Sequence, residues 1–181
     1  MKIGSVNENK DVEKRVSITP EIAKKYINLG FEVHLSENYG KHLGFEEKEY
    51  NVLGVKFISD EKKLIENVDI VIQMNLLSED RTSLLKPDQI LIGVLNPYEN
   101  KKQLDDLVKR KVNLFSLELL PRITRAQSMD ILSSQANLAG YKAVIESFSS
   151  FQKAIPMMMT AAGTIPAAKV LVVGAGVAGL Q

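Results

Sequence analysis

Short apolar runs alternate with amphipathic segments along the first two thirds of the chain. The runs are rich in Val and Ile and are too short for helices, which is typical of buried strands in a parallel sheet. Turn residues, mainly glycine and asparagine, separate many of them from the segments that follow. The pattern predicts six strands, at residues 3–6, 31–35, 55–58, 69–74, 89–95 and 112–117.

The segments between these runs carry helix start and stop signals. Thr19-Pro20 is an N-cap followed by a proline in the first turn, Gly30 is a helix end, and Asp60 is a second N-cap. Helices are predicted at residues 20–29, 45–53, 61–66, 78–85 and 100–110. Alternating strands and helices predict the α/β class, with a doubly wound, mainly parallel sheet that gathers ligands at the carboxyl ends of its strands.

A polar stretch with a helical apolar repeat follows at residues 121–144. Thr124 is a candidate N-cap with Gln127 at the capping-box spacing. Gln127, Asp130 and Ser133 recur every third residue and should share a helix face within reach of Arg122. Such a group can bind a polar heterocycle that has both donors and acceptors. The alternative is that these residues only cap the helix and form a solvated face.

One long helix is predicted from about residue 125 to residue 155, ended by Pro156. Gly140 in its interior predicts close packing against another backbone, because glycine costs roughly 1 kcal/mol relative to alanine in a helix. A helix of this length can leave one domain and enter the next. The predicted domains are residues 1–138, N-terminal and doubly wound, and residues 139–181, which hold the linking helix and the beginning of a second domain.

A glycine pattern of the form GxGxxG closes the sequence, directly after a predicted strand at residues 169–173. Gly174 allows a tight turn, Gly176 lets backbone approach a pyrophosphate, and Gly179 permits close helix–strand packing. The pattern favours dinucleotide binding over a merely tight strand–helix turn. The acidic residue for the ribose hydroxyls, expected about 20 residues further on, falls beyond Gln181, so we expect this second Rossmann domain to be truncated.

Charge and composition exclude several classes of function and partner. The net charge of +1 favours neither nucleic acid nor an anionic membrane as partner, and the absence of cysteine excludes disulfides and thiol catalysis. No apolar run is long enough to span a bilayer, and no metal-ligand spacing occurs. The N-terminus is predicted to be a strand and not a signal peptide, which makes a cytoplasmic location the default expectation.

Three segments together resemble a known family: PRITRAQSMDILSSQANLAGYKAV, then PMMMTAAGTIPAAKVLVVGAGVAGLQ, and near the N-terminus EKRVSITPE. They are similar to the NAD(H)-binding first domain of the alpha subunit of proton-translocating NAD(P) transhydrogenases. The resemblance implies a Rossmann-like fold and hydride transfer from NADH to NADP⁺ held in a separate domain, coupled to proton translocation by a membrane domain. It also implies a homodimer on the cytoplasmic side, peripheral to the inner membrane through the complex; this chain alone is expected to be inactive.

The resemblance also implies residue roles. Gln127 would set the two nicotinamide rings against each other, and direct hydride transfer of this kind needs positioning and not an acid or base. The residues implied at the nicotinamide end of NAD(H) are Arg122, Arg125, Gln127, Asp130 and Ser133, and those of the pyrophosphate turn are Gly174, Ala175, Gly176, Val177, Ala178 and Gly179.

Two alternatives remain. Alanine dehydrogenase shares this architecture, and its substrate-binding arginine corresponds to Arg15, which could instead be a loop arginine paired with a carboxylate. Its catalytic lysine and histidine are replaced by Asn75 and Asn96, which cannot exchange protons near neutral pH. His34 and His42 are predicted to lie at the surface. The second alternative is a non-catalytic nucleotide-binding remnant.

Overall fold

The computed structural model describes all 181 residues, Met1–Gln181. They form two compact units, the sheet unit Met1–Leu120 and the helix unit Pro121–Gln181. The predicted domain limits of 1–138 and 139–181 remain a prediction. None of the helices combines the length and apolar content needed to cross a bilayer.

The sheet unit is built on six parallel strands in the order β3-β2-β1-β4-β5-β6. The order reverses direction between β1 and β4, which is the topological switch point of a doubly wound sheet. The predicted fold class is therefore confirmed. The strands are β1 Lys2–Ser5, β2 Glu32–Ser36, β3 Lys56–Ile58, β4 Ile70–Asn75, β5 Ile90–Val94 and β6 Asn113–Ser116.

The helices of this unit follow the predicted positions with small shifts at their ends. Thr19 caps the first helix, accepting a hydrogen bond from the Ile22 amide at 3.4 Å, and Pro20 occupies the first turn. Asp60 caps the third by accepting from the amides of Lys62 and Lys63. The helices are α1 Pro20–Asn28, α2 Glu47–Val52, α3 Glu61–Asn67, α4 Glu79–Thr82 and α5 Lys101–Lys109, with short 3₁₀ helices at Lys41–Leu43 and Leu117–Leu119.

Apolar side chains fill both faces of the sheet. On β4, Val71 belongs to the core shared with α3 and α5, whereas its neighbours Ile70 and Ile72 pack against the core shared with α1 and α2. This alternation follows from the two-residue period of a strand and explains why the strands are apolar on both sides. One prediction is wrong here, because His34 on β2 is buried rather than at the surface. His42 is exposed, as predicted.

The helix unit begins with a 3₁₀ helix, Thr124–Met129, followed by α6, Ile131–Ser150. The prediction of one helix from residue 125 to 155 is therefore wrong at both ends. Thr124 makes no capping hydrogen bond, and Asp130 is the residue that caps α6. A 3₁₀ turn tightens the backbone ahead of α6, so the helical repeat is interrupted at residue 130.

The remainder of the helix unit contains a small hairpin and a final turn of helix. An antiparallel pair, β7 Met158–Thr160 and β8 Gly163–Ile165, occupies a region predicted to be a loop. Residues 169–173 were predicted to be a strand, but they belong to neither sheet. A parallel strand needs a neighbouring strand with which to exchange hydrogen bonds, and these residues have none. The helix α7 covers Val177–Leu180.

Candidate functional site

A cluster of three side chains lies at the start of α6. The Asp130 carboxylate accepts hydrogen bonds from the Ser133 amide at 2.9 Å and from the Ser133 hydroxyl at 2.6 Å. Arg122 donates to the Ser133 hydroxyl at 3.3 Å, and its Nε lies 3.7 Å from the Asp130 carboxylate. The prediction that these residues come together holds in the structure, although they do so around a helix cap and not along one continuous helix.

The cluster borders a shallow cavity of about 250 Å³. Gln127, on the 3₁₀ helix, lines it together with Arg122 and Asp130, and Ile123 and Thr124 complete the wall. The sequence did not predict that Ile123 and Thr124 line a cavity, because no motif or spacing marks either of them as a lining residue. Arg125 is exposed on the same 3₁₀ helix but is not part of the cavity lining.

The local hydrogen bonds favour the charged form of Asp130. The hydrogen bonds from Ser133, first from its side chain and then from its backbone, lower the pKa of the Asp130 carboxyl, and the Arg122 charge acts in the same direction. The site thus presents a guanidinium, a carboxylate, a carboxamide and a hydroxyl, with no histidine or lysine among them. It can position a polar ring by hydrogen bonding, and it holds no group that titrates near pH 7.

The glycine turn, residues 174–179, is a tight backbone turn that leads into α7. Gly174 adopts a φ of +111°, which favours glycine. A Cβ on Gly179 would approach the Gly174 carbonyl oxygen to well under 3.0 Å, so the turn closes on itself there. A Cβ on Gly176 would meet nothing within 4 Å, which leaves open space above this residue.

This open space fits the approach of a phosphate group. The turn leads into α7, where the first helical hydrogen bond runs from the Leu180 amide to the Gly176 carbonyl at 3.0 Å. The amides of Val177, Ala178 and Gly179 precede that bond and therefore lack partners within the helix. Backbone donors beside a glycine that leaves room for a ligand are the features expected of a dinucleotide turn.

The sheet unit contains a separate cleft of about 490 Å³ at the carboxyl ends of β1 and β4. Its charged lining residues are Glu8, Glu13, Asp80 and Arg81, and Asn75 is among its uncharged polar ones. The Glu8 carboxylate accepts from the Met74 amide at 2.7 Å, while burial raises its pKa. This cleft occupies the switch point of the fold and is mainly acidic.

The lysine and histidine expected of an alanine dehydrogenase are absent from the lining of this cleft. Arg15 donates to the Glu13 carboxylate from Nε at 2.8 Å and from a terminal nitrogen at 2.6 Å, so its fork is already engaged by an internal carboxylate. This confirms the interpretation of Arg15 as a paired loop arginine. Asn75 lines the cleft, and Asn96 lies at the end of β5, where its amide donates to Glu118 at 2.6 Å.

Taken together, the strand order and the glycine turn define an α/β protein of the Rossmann-like, nucleotide-binding class. The N-terminal domain model of alanine dehydrogenase/PNT matches residues 4–139, and the corresponding C-terminal domain model matches residues 143–181. The chain belongs to the alanine dehydrogenase/PNT family.

Within that family, the chain is more similar to transhydrogenases than to the alanine dehydrogenases compared. It is 44% identical to an NAD(P) transhydrogenase alpha subunit of Rhodospirillum rubrum, over 100% of this chain and 48% of that protein. The crystal structure of the Sinorhizobium meliloti transhydrogenase superposes with a TM-score of 0.90 at 40% identity, over 98% of this chain and 53% of that one. Alanine dehydrogenase of Staphylococcus epidermidis is 27% identical, over 99% of this chain and 48% of its own length.

These comparisons confirm the resemblance on which the residue roles were predicted. The chain spans about half the length of the curated transhydrogenase subunit it matches (48%). The roles of individual residues at the α6 cluster and in the glycine turn remain predictions.

Proposed function

We propose that this chain is the NAD(H)-binding part of a proton-translocating transhydrogenase, in which hydride passes from NADH to NADP⁺ held on a separate domain. The observation that carries the proposal is the cavity at the start of α6, where Arg122, Gln127 and Asp130 offer positioning contacts without a proton-transfer group. The 44% identity to a transhydrogenase alpha subunit over the whole chain supports it.

Bound NADH would supply the hydride, and the chain's own residues would hold the ring that carries it. The Asp130–Ser133 pair caps the first turn of α6 and contacts Arg122 at the cavity wall. Gln127 extends from the 3₁₀ helix to the same cavity and can donate and accept at a carboxamide. Direct transfer between two rings depends on their contact and orientation, which positioning groups of this kind supply.

The glycine turn is proposed to hold the pyrophosphate. Its backbone amides, from Gly174 to Gly179, would donate to phosphate oxygens across the open space at Gly176. A side chain at that position would occupy the same space. In this proposal, backbone amides bind the phosphates and side chains bind the nicotinamide.

Partners follow from the same assignment. NADP(H) would be held by a partner domain, with a membrane domain coupling transfer to proton movement, so that this chain lies on the cytoplasmic side, peripheral to the inner membrane. We also propose a homodimer. The exposed apolar side chains of α6 support this proposal, because a dimer interface would bury them. The exposed fractions of Leu138, Tyr141 and Phe148 in the single chain are 58%, 57% and 43%.

A titration tests the cofactor assignment. The full-length protein is titrated with NADH and, separately, with NADPH, and binding is followed by the fluorescence of the reduced nicotinamide. We expect NADH to bind at least about tenfold more tightly, a difference of about 1.4 kcal/mol. Tighter binding of NADPH would contradict the assignment of NAD(H) to this chain, and light scattering of the same sample reports whether it is a dimer.

A further inference from the structure

The interior glycine of α6, Gly140, is buried and touches the glycine turn. A Cβ at this position would meet the backbone of Ala178, with the carbonyl oxygen well under 3.0 Å away and the carbonyl carbon and Cα at 3.0 Å. The contact is therefore backbone against backbone, which a flexible side chain cannot relieve. It confirms the prediction that Gly140 packs closely against another backbone.

A second contact links the same two elements. The Asn137 side chain, one turn earlier on α6, donates to the Gln181 side chain at 2.7 Å, just beyond the end of α7. Asn137 and Gly140 are three residues apart and lie on neighbouring positions of the helix surface. The turn that ends in α7 is thus seated on α6 by a glycine contact and a hydrogen bond.

The α6 cluster lies on this side of the same helix. Ser133, which bonds to both Asp130 and Arg122, precedes Gly140 by seven residues. Seven residues are close to two full turns, so the two positions share a helix face and are separated by about 10.5 Å along the axis. One rigid element therefore carries the proposed nicotinamide contacts near its start and the seat of the proposed pyrophosphate turn two turns later.

We propose that Gly140 is a positioning residue that fixes the distance between these two parts of the nucleotide site. This inference rests on the proposed NADH-binding function and adds to it the element that sets the spacing. Glycine is required because the turn must approach the axis of α6 as closely as a bare backbone permits. Any side chain would displace the turn outward while leaving the α6 cluster in place.

The test compares two ligands, because a change in spacing and a loss of structure affect them differently. NADH would engage both the cluster and the turn, whereas ADP-ribose lacks the nicotinamide and would engage only the turn. In the full-length Gly140→Ala variant we expect the dissociation constant of NADH to rise about tenfold or more. That of ADP-ribose should stay within about threefold of wild type. Ala139→Ser, which adds one atom to an exposed neighbour, is the matched control and should leave both unchanged.

Two readouts separate the possible outcomes. If Gly140→Ala weakens the binding of both ligands equally, the glycine only maintains the turn. If the binding of both is unchanged, the contact between Gly140 and the turn does not affect the nucleotide site. Either result overturns the inference. Wild-type protein that binds neither ligand would instead overturn the proposed function and this inference with it. Should Gly140→Ala fail to fold, Asn137→Ala removes the hydrogen bond to Gln181 without adding volume. It should weaken NADH more than ADP-ribose, and an equal effect on both would overturn the inference.

Discussion

Asp130 closes the first turn of α6 on Ser133, whose amide and hydroxyl both donate to its carboxylate, at 2.9 and 2.6 Å. The same two residues are the ones that Arg122 contacts from the preceding segment. A single pair thus ends the 3₁₀ helix, starts α6 and holds the guanidinium of the proposed nicotinamide site. Local structure and proposed function depend on the same three side chains.

Replacing Asp130 separates its two roles. Asp130→Ala should destabilise the full-length protein by about 1 kcal/mol, because the Ser133 amide loses its cap. Asp130→Asn keeps an oxygen for that amide and should retain most of the stability, while it removes the charge that faces Arg122. Thermal unfolding followed by circular dichroism measures both. Equal destabilisation by the two changes would show that the charge, and not the cap, holds α6.

The open space at Gly176 allows a change that blocks a ligand without disturbing the turn. Gly176 has a φ of −79°, which any residue adopts, and an added Cβ would meet no atom within 4 Å. Gly176→Val should therefore leave the unfolding temperature unchanged and weaken NADH binding by about a hundredfold or more, since the side chain fills the proposed phosphate position.

Gly179→Ala is the comparison for that experiment, because it should show what a deformed turn does to stability and to NADH binding. Its added Cβ would clash with the Gly174 carbonyl, so we expect a deformed turn that loses stability as well as NADH affinity. NADH affinity that is unchanged in Gly176→Val would remove the glycine turn from the proposed site.

Gln127 should act on transfer more than on binding. Gln127→Asn shortens the side chain by one methylene and withdraws the carboxamide from the cavity that it lines. We expect hydride transfer to NADP⁺ to slow by about tenfold or more, with the NADH dissociation constant within about threefold of wild type. Ser128→Ala, an exposed neighbour on the same 3₁₀ helix, is the control. Stopped-flow rates that fall only in proportion to affinity would contradict a role in ring placement.

The buried ring of His34 should make stability depend on pH. Neither ring nitrogen has a hydrogen-bond partner, and the Nε2 atom lies 3.6 Å from the carboxylate of Glu32. Burial lowers the pKa of His34 below its usual 6.5, so the folded protein resists protonation while the unfolded chain does not.

The free energy of unfolding should therefore be constant above the ordinary pKa of histidine, about 6.5, and fall as the pH drops below it. One proton allows a slope of at most about 1.4 kcal/mol per pH unit. Urea unfolding between about pH 7.5 and about pH 5 measures it, since this range brackets the ordinary pKa. His34→Phe should reduce the slope, whereas His42→Gln, at an exposed histidine, should not; an identical slope in all three proteins would assign it to other groups.

Much of the sheet unit could be predicted because its signals are local. Thr19-Pro20 and Asp60 cap the helices that the sequence predicts, and the six apolar runs become six parallel strands. His34 was predicted to lie at the surface because polar residues in a strand usually face solvent. In a sheet covered on both faces, alternate positions are buried too, and a single sequence does not show which face is covered.

The helix unit was harder to predict. Thr124 and Asp130 are both good N-cap residues, and only the 3₁₀ turn between them decides that Asp130 starts α6. The strands of the hairpin β7–β8 are only three residues long each, which is too short to show a two-residue period in the sequence. Gly140 was the exception, because a glycine inside a long helix indicates close backbone packing wherever its partner lies in the sequence.

The central claim is that this chain positions a nicotinamide for direct transfer and takes no part in proton exchange. The most direct measurement uses NADH carrying deuterium at the transferable position of its ring, with the full-length protein, its NADP-binding partner domain and NADP⁺. The account predicts that the label appears in NADPH without loss to water, and that the same protein does not reduce pyruvate in the presence of ammonia. Label released into solvent, or pyruvate reduced while NADP⁺ is not, would contradict it.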